Sequence, residues 1–154
     1  MNSCSLPITI RRFTTADVDR LVEIGNASFE VDALPKRELL RLRRRCFSWA
    51  IAAELAGEIV AYMVTCIEPH KQHTVAHIMI LAVDPAYRRQ GVGTALVNWS
   101  FEYVNGPVAL VWELEVRPSN HAGMSFWQSF GFVPIGIKAR LYRDKADAIH
   151  MQRQ

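Results

Sequence analysis

The chain has 154 residues, enough for one domain with one sizeable core, so we predict a single domain over residues 1–154. Its 50% apolar and 21% charged residues are typical of a globular protein, and a net charge of +3 permits an acidic partner without requiring one. No apolar run approaches the roughly 18 residues of a membrane-spanning helix, and residues 1–7 lack a signal-peptide pattern, so we expect a cytoplasmic protein with no membrane association.

In chain order, the first half predicts a strand, two helices and a hairpin. Thr15 is a suitable N-cap for an amphipathic helix, and Pro35 can begin a second helix because its fixed φ suits a first turn. Ala56-Gly57 is a hairpin signal between two strand-like segments. The predicted segments are a strand at 8–13, a helix from Thr15, a helix at 35–45, and strands at 47–55 and 58–67.

The second half alternates strands with helices. A nearly unbroken apolar run at 77–83 predicts a strand buried on both faces, ended by Asp84-Pro85. The next helix turns Trp99 and Tyr103 toward the core and stops at Asn105-Gly106-Pro107. The remaining segments are this helix at 94–104, a strand at 108–116, a helix from Ser119 or Asn120 to about 129, and strands at 133–138 and 148–152. Interleaved helices and strands indicate the α/β or α+β class.

A glycine-rich loop, Arg88-Arg89-Gln90-Gly91-Val92-Gly93-Thr94, follows the apolar strand and opens a helix. The first N–H groups of a helix lack intrahelical acceptors and the helix dipole is positive there, so the loop is an anion site. Gly91 and Gly93 let the backbone approach a phosphate, and Arg88 and Arg89 can bind the same phosphates or a 3′-phosphate. The P-loop and Rossmann patterns are both missing, which disfavours those nucleotide sites.

Three blocks of sequence resemble the GNAT superfamily of N-acetyltransferases. Residues 80–97 are similar to its pantetheine-and-pyrophosphate motif. Residues 114–120, followed by 130–132, and residues 140–151 resemble the RimI-like branch, which acetylates protein N-termini. Together the blocks cover about half the chain, in the order and spacing of the superfamily.

The resemblance implies a mixed α/β (α+β) fold with a mostly antiparallel central sheet, flanking helices, and a splay between the strands at 77–83 and 108–116. Acetyl-CoA would bind in the splay, its pantetheine arm on main-chain groups of the first strand and its pyrophosphate on the loop. The residues implied in binding it are Leu81, Ala82, Val83, Arg88, Arg89, Gln90, Gly91, Val92, Gly93, Thr94, Asn120 and Trp127.

Acetylation needs a group that takes the proton of the attacking amine. Glu115 matches the glutamate taken as the general base in the RimI-like branch. Glu113 lies on the same strand face, where close carboxylates would raise one pKa toward neutrality, and it would bind the acceptor. His77 resembles the histidine of related catalytic subunits, and would face Glu115 and relay a proton through water. The alternatives are two solvated glutamates and a core histidine bonded to backbone.

Trp127 departs from the branch, which has a tyrosine there as the general acid. An indole N–H donates a hydrogen bond but delivers no proton. Either water protonates the leaving thiolate, or another group such as Tyr142 does, or activity is reduced.

The resemblance also implies that the acceptor enters between the helix at 35–45 and the C-terminal hairpin. Tyr142 matches one of two tyrosines that shape a peptide slot in the branch, and with Phe29 and Leu34 it would line an apolar pocket. A basic run on the helix either attracts an acidic partner or is a solvated helix face. The run consists of Lys36, Arg37, Arg41, Arg43, Arg44 and Arg45.

Metal binding is not expected. The three cysteines, Cys4, Cys46 and Cys66, match no metal pattern, and we interpret them as buried or incidental thiols. His70 and His73, with His77, have only loose metal-like spacing.

We therefore hypothesise an enzyme that moves an acetyl group from acetyl-CoA to a primary amine by direct attack, with a protein or peptide N-terminus as the acceptor and coenzyme A as the product. Two alternatives stay open: a small-molecule amine acetyltransferase, and a non-catalytic acyl-CoA-binding regulatory module. The expected partners are acyl-CoA and an amine acceptor, without nucleic acid, for a monomer or homodimer.

Overall fold

The computed structural model describes residues 7–29, 31–104 and 110–154. The elements are β1 (Ile8–Arg12), α1 (Val18–Ser28), α2 (Lys36–Arg45), β2 (Ala50–Leu55), β3 (Glu58–Pro69), β4 (Thr74–Val83), α3 (Val92–Tyr103), β5 (Leu110–Val116), α4 (His121–Ser129), β6 (Val133–Lys138) and β7 (Ala148–Arg153). The strands form a sheet of order β1-β2-β3-β4-β5-β7-β6, in which β4 and β5 pair in parallel. The pairs β1–β2, β2–β3, β5–β7 and β6–β7 are antiparallel, which confirms the mixed, mostly antiparallel fold.

The chain divides into two compact units. The first unit comprises Met1–Cys66 and Met79–Asn105, and the second comprises Ile67–Ile78 and Gly106–Gln154. Strands β3 and β4 contribute residues to both units. The single domain over residues 1–154 stays a prediction.

The core of the first unit forms where α1 and α2 bury one face each. Their buried side chains recur every three residues, at Val18, Leu21 and Ile24 in α1 and at Leu39 and Leu42 in α2, which places them on one side of each helix. Gly25 belongs to this face of α1, because a Cβ there would lie 3.4 Å from the hydroxyl oxygen of the buried Tyr62. The fully buried apolar residues of the two helices are Val18, Leu21, Ile24 and Leu39.

The segment at 47–55 differs from its predicted strand. Phe47–Trp49 form a 3-10 turn, and β2 begins at Ala50. The guanidinium groups of Arg12 and Arg43 lie 5.2 and 5.5 Å from the centre of the Phe47 ring. These cation–π contacts, and the bond from the Trp49 N–H to the carbonyl of Cys46 (3.0 Å), hold the turn against the strand propensity of its aromatic residues.

Helix α3 begins two residues before its predicted start and exposes a residue predicted to face the core. Tyr103 is 54% exposed and stacks on Trp99, with ring centres 4.8 Å apart, so its predicted orientation is wrong. The stop signal at 105–107 and the predicted strand start at 108 lie outside the described residues.

Cys46 and Cys66 are buried and are joined by a disulfide in the first unit. Burial was expected, but the interpretation of both as thiols is wrong. Their sequence separation of 20 residues gave no sign of pairing. The third cysteine, Cys4, lies outside the described residues.

Strand β4 is not buried on both faces as predicted. From His77 to Val83 the odd-numbered side chains are accessible to solvent, while the even-numbered ones are buried. Successive side chains of a strand point to opposite faces, so one face of β4 is open. Its parallel ladder with β5 runs from Thr74↔Leu110 to His77↔Glu113.

The second unit contains β5, β7, β6 and α4. Trp127 of α4 is buried against Phe132, with ring centres 5.4 Å apart. Strand β6 is at the edge of the sheet and exposes Val133, Ile135 and Ile137, the last of them by 71%. Within residues 7–29, 31–104 and 110–154, every helix lacks the length or the apolar character needed to cross a bilayer.

Candidate active site

In the first unit, Asp84 fixes the start of the glycine-rich loop. Its backbone N–H donates to the carbonyl of Val60 (2.8 Å), and its carboxylate accepts from the Ala86 N–H (2.9 Å) and from Arg20 (2.7 Å). The hydrogen bond from Ala86, followed by that from Arg20, lowers the pKa of Asp84. The loop therefore leaves β4 from a charged, well-anchored residue.

The loop itself passes twice through the left-handed backbone region before α3. The φ angles are +61° at Arg89 and +79° at Gly91, and Gly91 is the N-cap of α3. No side chain caps this helix start, so the first-turn N–H groups are available to an anion. The side chains of Arg88, Arg89 and Gln90 are exposed, whereas that of Val92 is buried and offers only its N–H. This donor set, at the positive end of a twelve-residue helix, fits a pyrophosphate.

The last three residues of β4 are those predicted to bind the pantetheine arm. Ala82 is buried, and Leu81 and Val83 are half-buried. The carbonyl of Val83 already accepts a hydrogen bond from the Ser28 hydroxyl (3.0 Å). Of the two main-chain groups of Val83, we therefore assign the N–H, and not the carbonyl, to the pantetheine arm.

In the second unit, the Glu115 carboxylate on β5 is bound on both oxygens. Oε2 lies 2.7 Å from Nε2 of His77, and Oε1 accepts from the Lys138 ammonium. Nδ1 of His77 lies 3.1 Å from Oε1 of Glu68. The Glu115 side chain is only 13% exposed. The sequence predicted that His77 faces Glu115, but the contact is direct rather than through water.

These contacts set the charge states of the two central groups. Burial opposes the charge on Glu115, but the hydrogen bonds from His77 and Lys138 outweigh it and lower the pKa of Glu115 to about 2. Burial also opposes the charge on His77, but the bonds to Glu115 and Glu68 outweigh it and raise the pKa of His77. The contacts therefore favour the charged form of both groups, an imidazolium at His77 and a carboxylate at Glu115.

Glu113 and Glu115 contact different side chains. Its Oε2 lies 3.2 Å from Nε2 of His150, out of line for a hydrogen bond, and its Oε1 accepts from the Gln152 amide (3.3 Å). Glu115 has cations of its own, so the expectation that two close carboxylates raise one pKa is wrong for Glu115.

A family model described as "Acetyltransferase (GNAT) family" matches residues 18–132, which include α1, the glycine-rich loop and Glu115. The chain belongs to this family. As a GNAT protein it is an acetyl-CoA-dependent N-acetyltransferase, and the glycine-rich loop has the donors that its cosubstrate requires.

Relatives of this GNAT chain carry more specific names. N-alpha-acetyltransferase RimI of Mycobacterium tuberculosis is 29% identical over 99% of this chain and 96% of that protein. An uncharacterized Mycobacterium leprae protein is 32% identical, but the chain spans only 41% of its length. Among solved structures, Ard1 from Thermoplasma volcanium superposes with a TM-score of 0.86 at 28% identity, covering 95% of this chain and 96% of that one. The chain is thus similar to the RimI-like branch.

The other predicted site residues of this GNAT chain are distributed over both units. Asn120 is the N-cap of α4, and its Oδ1 accepts from the Gly123 N–H (2.9 Å). Trp127 lies in the aromatic core rather than on an open surface. Tyr142 packs its ring on the Arg117 guanidinium, 4.2 Å away, in the second unit. Phe29 is half-buried at the end of α1 in the first unit.

Two members of the Glu115 cluster were missed from the sequence. Lys138 is 23 residues from Glu115, and Glu68 is nine residues from His77. Lys138 gave one signal, because it is the only charged residue in the predicted strand at 133–138. Glu68, next to Pro69 at a strand end, gave none.

Proposed function

We propose that this GNAT enzyme acetylates the α-amine of a protein or peptide N-terminus. The observation that carries the proposal is the half-buried Glu115 carboxylate, bound to His77, which is in turn bound to Glu68. The names of the relatives support it, because RimI of Mycobacterium tuberculosis is described as an N-alpha-acetyltransferase.

The acetyl-CoA pyrophosphate binds the loop before α3. The backbone amides of the first helical turn supply neutral donors, and the exposed arginines supply charge. The pantetheine arm binds main-chain groups of β4, and Asn120 contacts the arm. The residues assigned to the cosubstrate are Leu81, Ala82, Val83, Arg88, Arg89, Gln90, Gly91, Val92, Gly93, Thr94 and Asn120. Trp127, which is 8% exposed, is also assigned to the cosubstrate.

Glu115 receives the acceptor ammonium, and His77 takes up its proton in those molecules whose imidazole is neutral. A carboxylate whose pKa is about 2 is a weak base at neutral pH, but it attracts an ammonium ion and connects it to the imidazole. Glu68 is a positioning residue, since its bond to Nδ1 fixes the orientation and tautomer of His77. The neutral amine attacks the thioester carbon and coenzyme A leaves as a thiolate, which water protonates.

We assign Glu113 and Tyr142 of the second unit, and Phe29 of the first, to binding of the acceptor. We further propose that both units act as one catalytic domain, that the protein works in the cytoplasm as a monomer or homodimer, and that nucleic acid is not a partner.

Steady-state release of coenzyme A with a panel of N-terminal peptides tests the proposal. We expect peptide turnover that Glu115→Gln lowers by about 100-fold or more, the usual contribution of an acid–base group. Glu58→Gln, which removes an exposed carboxylate in the first unit, is the matched control and should keep wild-type rates. Turnover of small free amines well above every peptide would refute the N-terminal acceptor.

A further inference from the structure

Helix α2 has a larger positive charge than the whole chain. Residues 36–45 include six basic residues and one acidic residue, a net charge of +5, whereas the net charge of the chain is +3. Leu39 and Leu42 are buried in the first unit, so the opposite face of α2 is turned to solvent. Four exposed arginines occupy that face at helical spacing, and we call them the arginine stripe: Arg37, Arg41, Arg44 and Arg45.

The protein's own carboxylates compensate little of the charge on the arginine stripe. Arg41 lies 3.5 Å from Glu38, a surface pair between residues three apart. In the part of the chain that the structure describes, the other three arginines of the stripe form no ion pair. The remaining basic residues of α2 do have partners, since Lys36 lies 2.9 Å from Asp19 and Arg43 donates to a backbone carbonyl at 2.9 Å. The stripe is thus the part of α2 that is open to an anion from outside.

The arginine stripe brings like charges together on one helix face. Residues three or four apart are neighbours on a helix, so Arg41 lies beside Arg37 on one side and beside Arg44 and Arg45 on the other. Like charges at this spacing destabilise a helix. The helix dipole favours the two arginines of the last turn, but Arg37 lies in the first turn, where the dipole is already positive. An anionic partner explains a cation at that position, whereas solvation alone does not.

A surface cavity of about 300 Å³ adjoins the stripe. It is lined by Thr15, Leu40, Arg43 and Arg44. The guanidinium and hydroxyl groups suit a carboxylate or a phosphate, but Leu40 adds an apolar contact that a phosphate backbone does not use. The stripe also lacks an aromatic side chain on which a nucleic-acid base could stack. A polypeptide brings both carboxylates and apolar side chains, so these features favour it over a nucleic acid.

We propose that the arginine stripe and this cavity dock an acidic segment of a partner protein, with its carboxylates on the arginines and an apolar side chain against Leu40. Arginine suits this role because its planar guanidinium binds a carboxylate with two parallel hydrogen bonds. Carboxylates three or four residues apart on a helical segment repeat at the spacing of the stripe. The surface lies wholly in the first unit and does not depend on which amine the enzyme acetylates.

Fluorescence anisotropy with labelled peptides and the full chain tests the proposal at low salt. The probe peptide has glutamates three and four residues apart around central leucines, and a second peptide has glutamine in place of every glutamate. We expect saturable binding of the first peptide only, and weaker binding at high salt because exposed charges are screened. Serine in place of the leucines should weaken binding by about tenfold, the effect of losing one well-buried apolar contact.

A charge-removing variant locates the binding on the protein. Arg37→Gln, Arg41→Gln and Arg44→Gln together should weaken peptide binding by about tenfold or more. The melting temperature of this stripe variant should be no lower than that of wild type, because repulsion within α2 is relieved, so weaker binding would not reflect unfolding. The matched control removes the same charge from exposed residues of the second unit and should bind like wild type: Lys71→Gln, Arg143→Gln and Lys145→Gln.

Three results would overturn the proposal. An equal loss of affinity in the stripe variant and the control would attribute the binding to net charge. Tighter binding of an RNA oligonucleotide of equal charge, or of phosphatidylserine vesicles, would assign the stripe to a nucleic acid or a membrane. Self-association of the chain that the stripe variant abolishes would make a second copy the occupant.

Discussion

Glu115→Gln removes a carboxylate whose charge stabilises the folded protein. Contacts with His77 and Lys138 lower its pKa from the usual 4.5 to about 2. At about 1.4 kcal/mol for each pKa unit, the charged form contributes about 3 kcal/mol, and the side chain is buried enough for little of this to be screened. Because the pKa is lowered, this stabilisation is present above pH 4.5 and is lost as the pH falls toward 2.

Urea unfolding followed by tryptophan fluorescence, between about pH 6 and about pH 3, measures this effect. The gap in unfolding free energy between wild type and Glu115→Gln should narrow by about 2 kcal/mol over that range. His77 has a raised pKa, so its own contribution is complete below 6.5 and is lost only at higher pH, outside this window. Glu58→Gln is the control, because Glu58 is exposed. Its difference from wild type in unfolding free energy should stay constant over this pH range. If wild type and Glu115→Gln differ in unfolding free energy by the same amount at both ends of the pH range, the contacts of Glu115 with His77 and Lys138 do not stabilise its charge, and the reasoning is refuted.

Three further outcomes are expected. Glu68→Gln should lower the pKa of His77 and move both its imidazole NMR titration and the acidic limb of the kcat/KM profile to lower pH, whereas Glu113→Gln should leave the titration in place. Gly91→Ala and Gly57→Ala, at φ of +79° and +81°, should each cost about 1 kcal/mol of stability, but only the first should raise the KM for acetyl-CoA. Equal KM effects would contradict the loop assignment. Reducing the disulfide, which joins cysteines 20 residues apart, should cost about 3 kcal/mol. Thiol titration of the denatured, unreduced chain should detect one free thiol among the three cysteines. Detection of three free thiols would exclude the disulfide between Cys46 and Cys66.

Local signals were sufficient for most of the fold. The turn at Ala56-Gly57 needs two residues with positive φ, and the observed angles of +52° and +81° supply them. The strand at 133–138 has its predicted bounds, and of the two predicted caps of α4, Ser119 and Asn120, it is Asn120 that caps the helix. The glycine-rich loop could also be predicted from the sequence, because the residues that form an anion site at the start of a helix are neighbours in the chain.

The errors come from contacts made at a distance in sequence. Phe47–Trp49 has strand-like composition, but Arg12 and Arg43 bind the Phe47 ring and hold a turn. The lowered pKa of Glu115 was missed for the same reason, since Lys138 reaches it only through the folded sheet. A sequence pattern can place Glu113 and Glu115 on one face of a strand, but it does not say which cation each of them meets.

The edge strand β6 gives the charge on Lys138 a second consequence. Edge strands with exposed apolar side chains can pair with one another between molecules, and proteins commonly prevent this with proline or lysine on the edge. β6 has both, with Pro134 inside the strand and Lys138 at its end, beside the exposed Val133, Ile135 and Ile137. Lys138→Met would remove the only charge from this strand. The charge of one side chain would thus influence how concentrated the protein can become before its molecules aggregate.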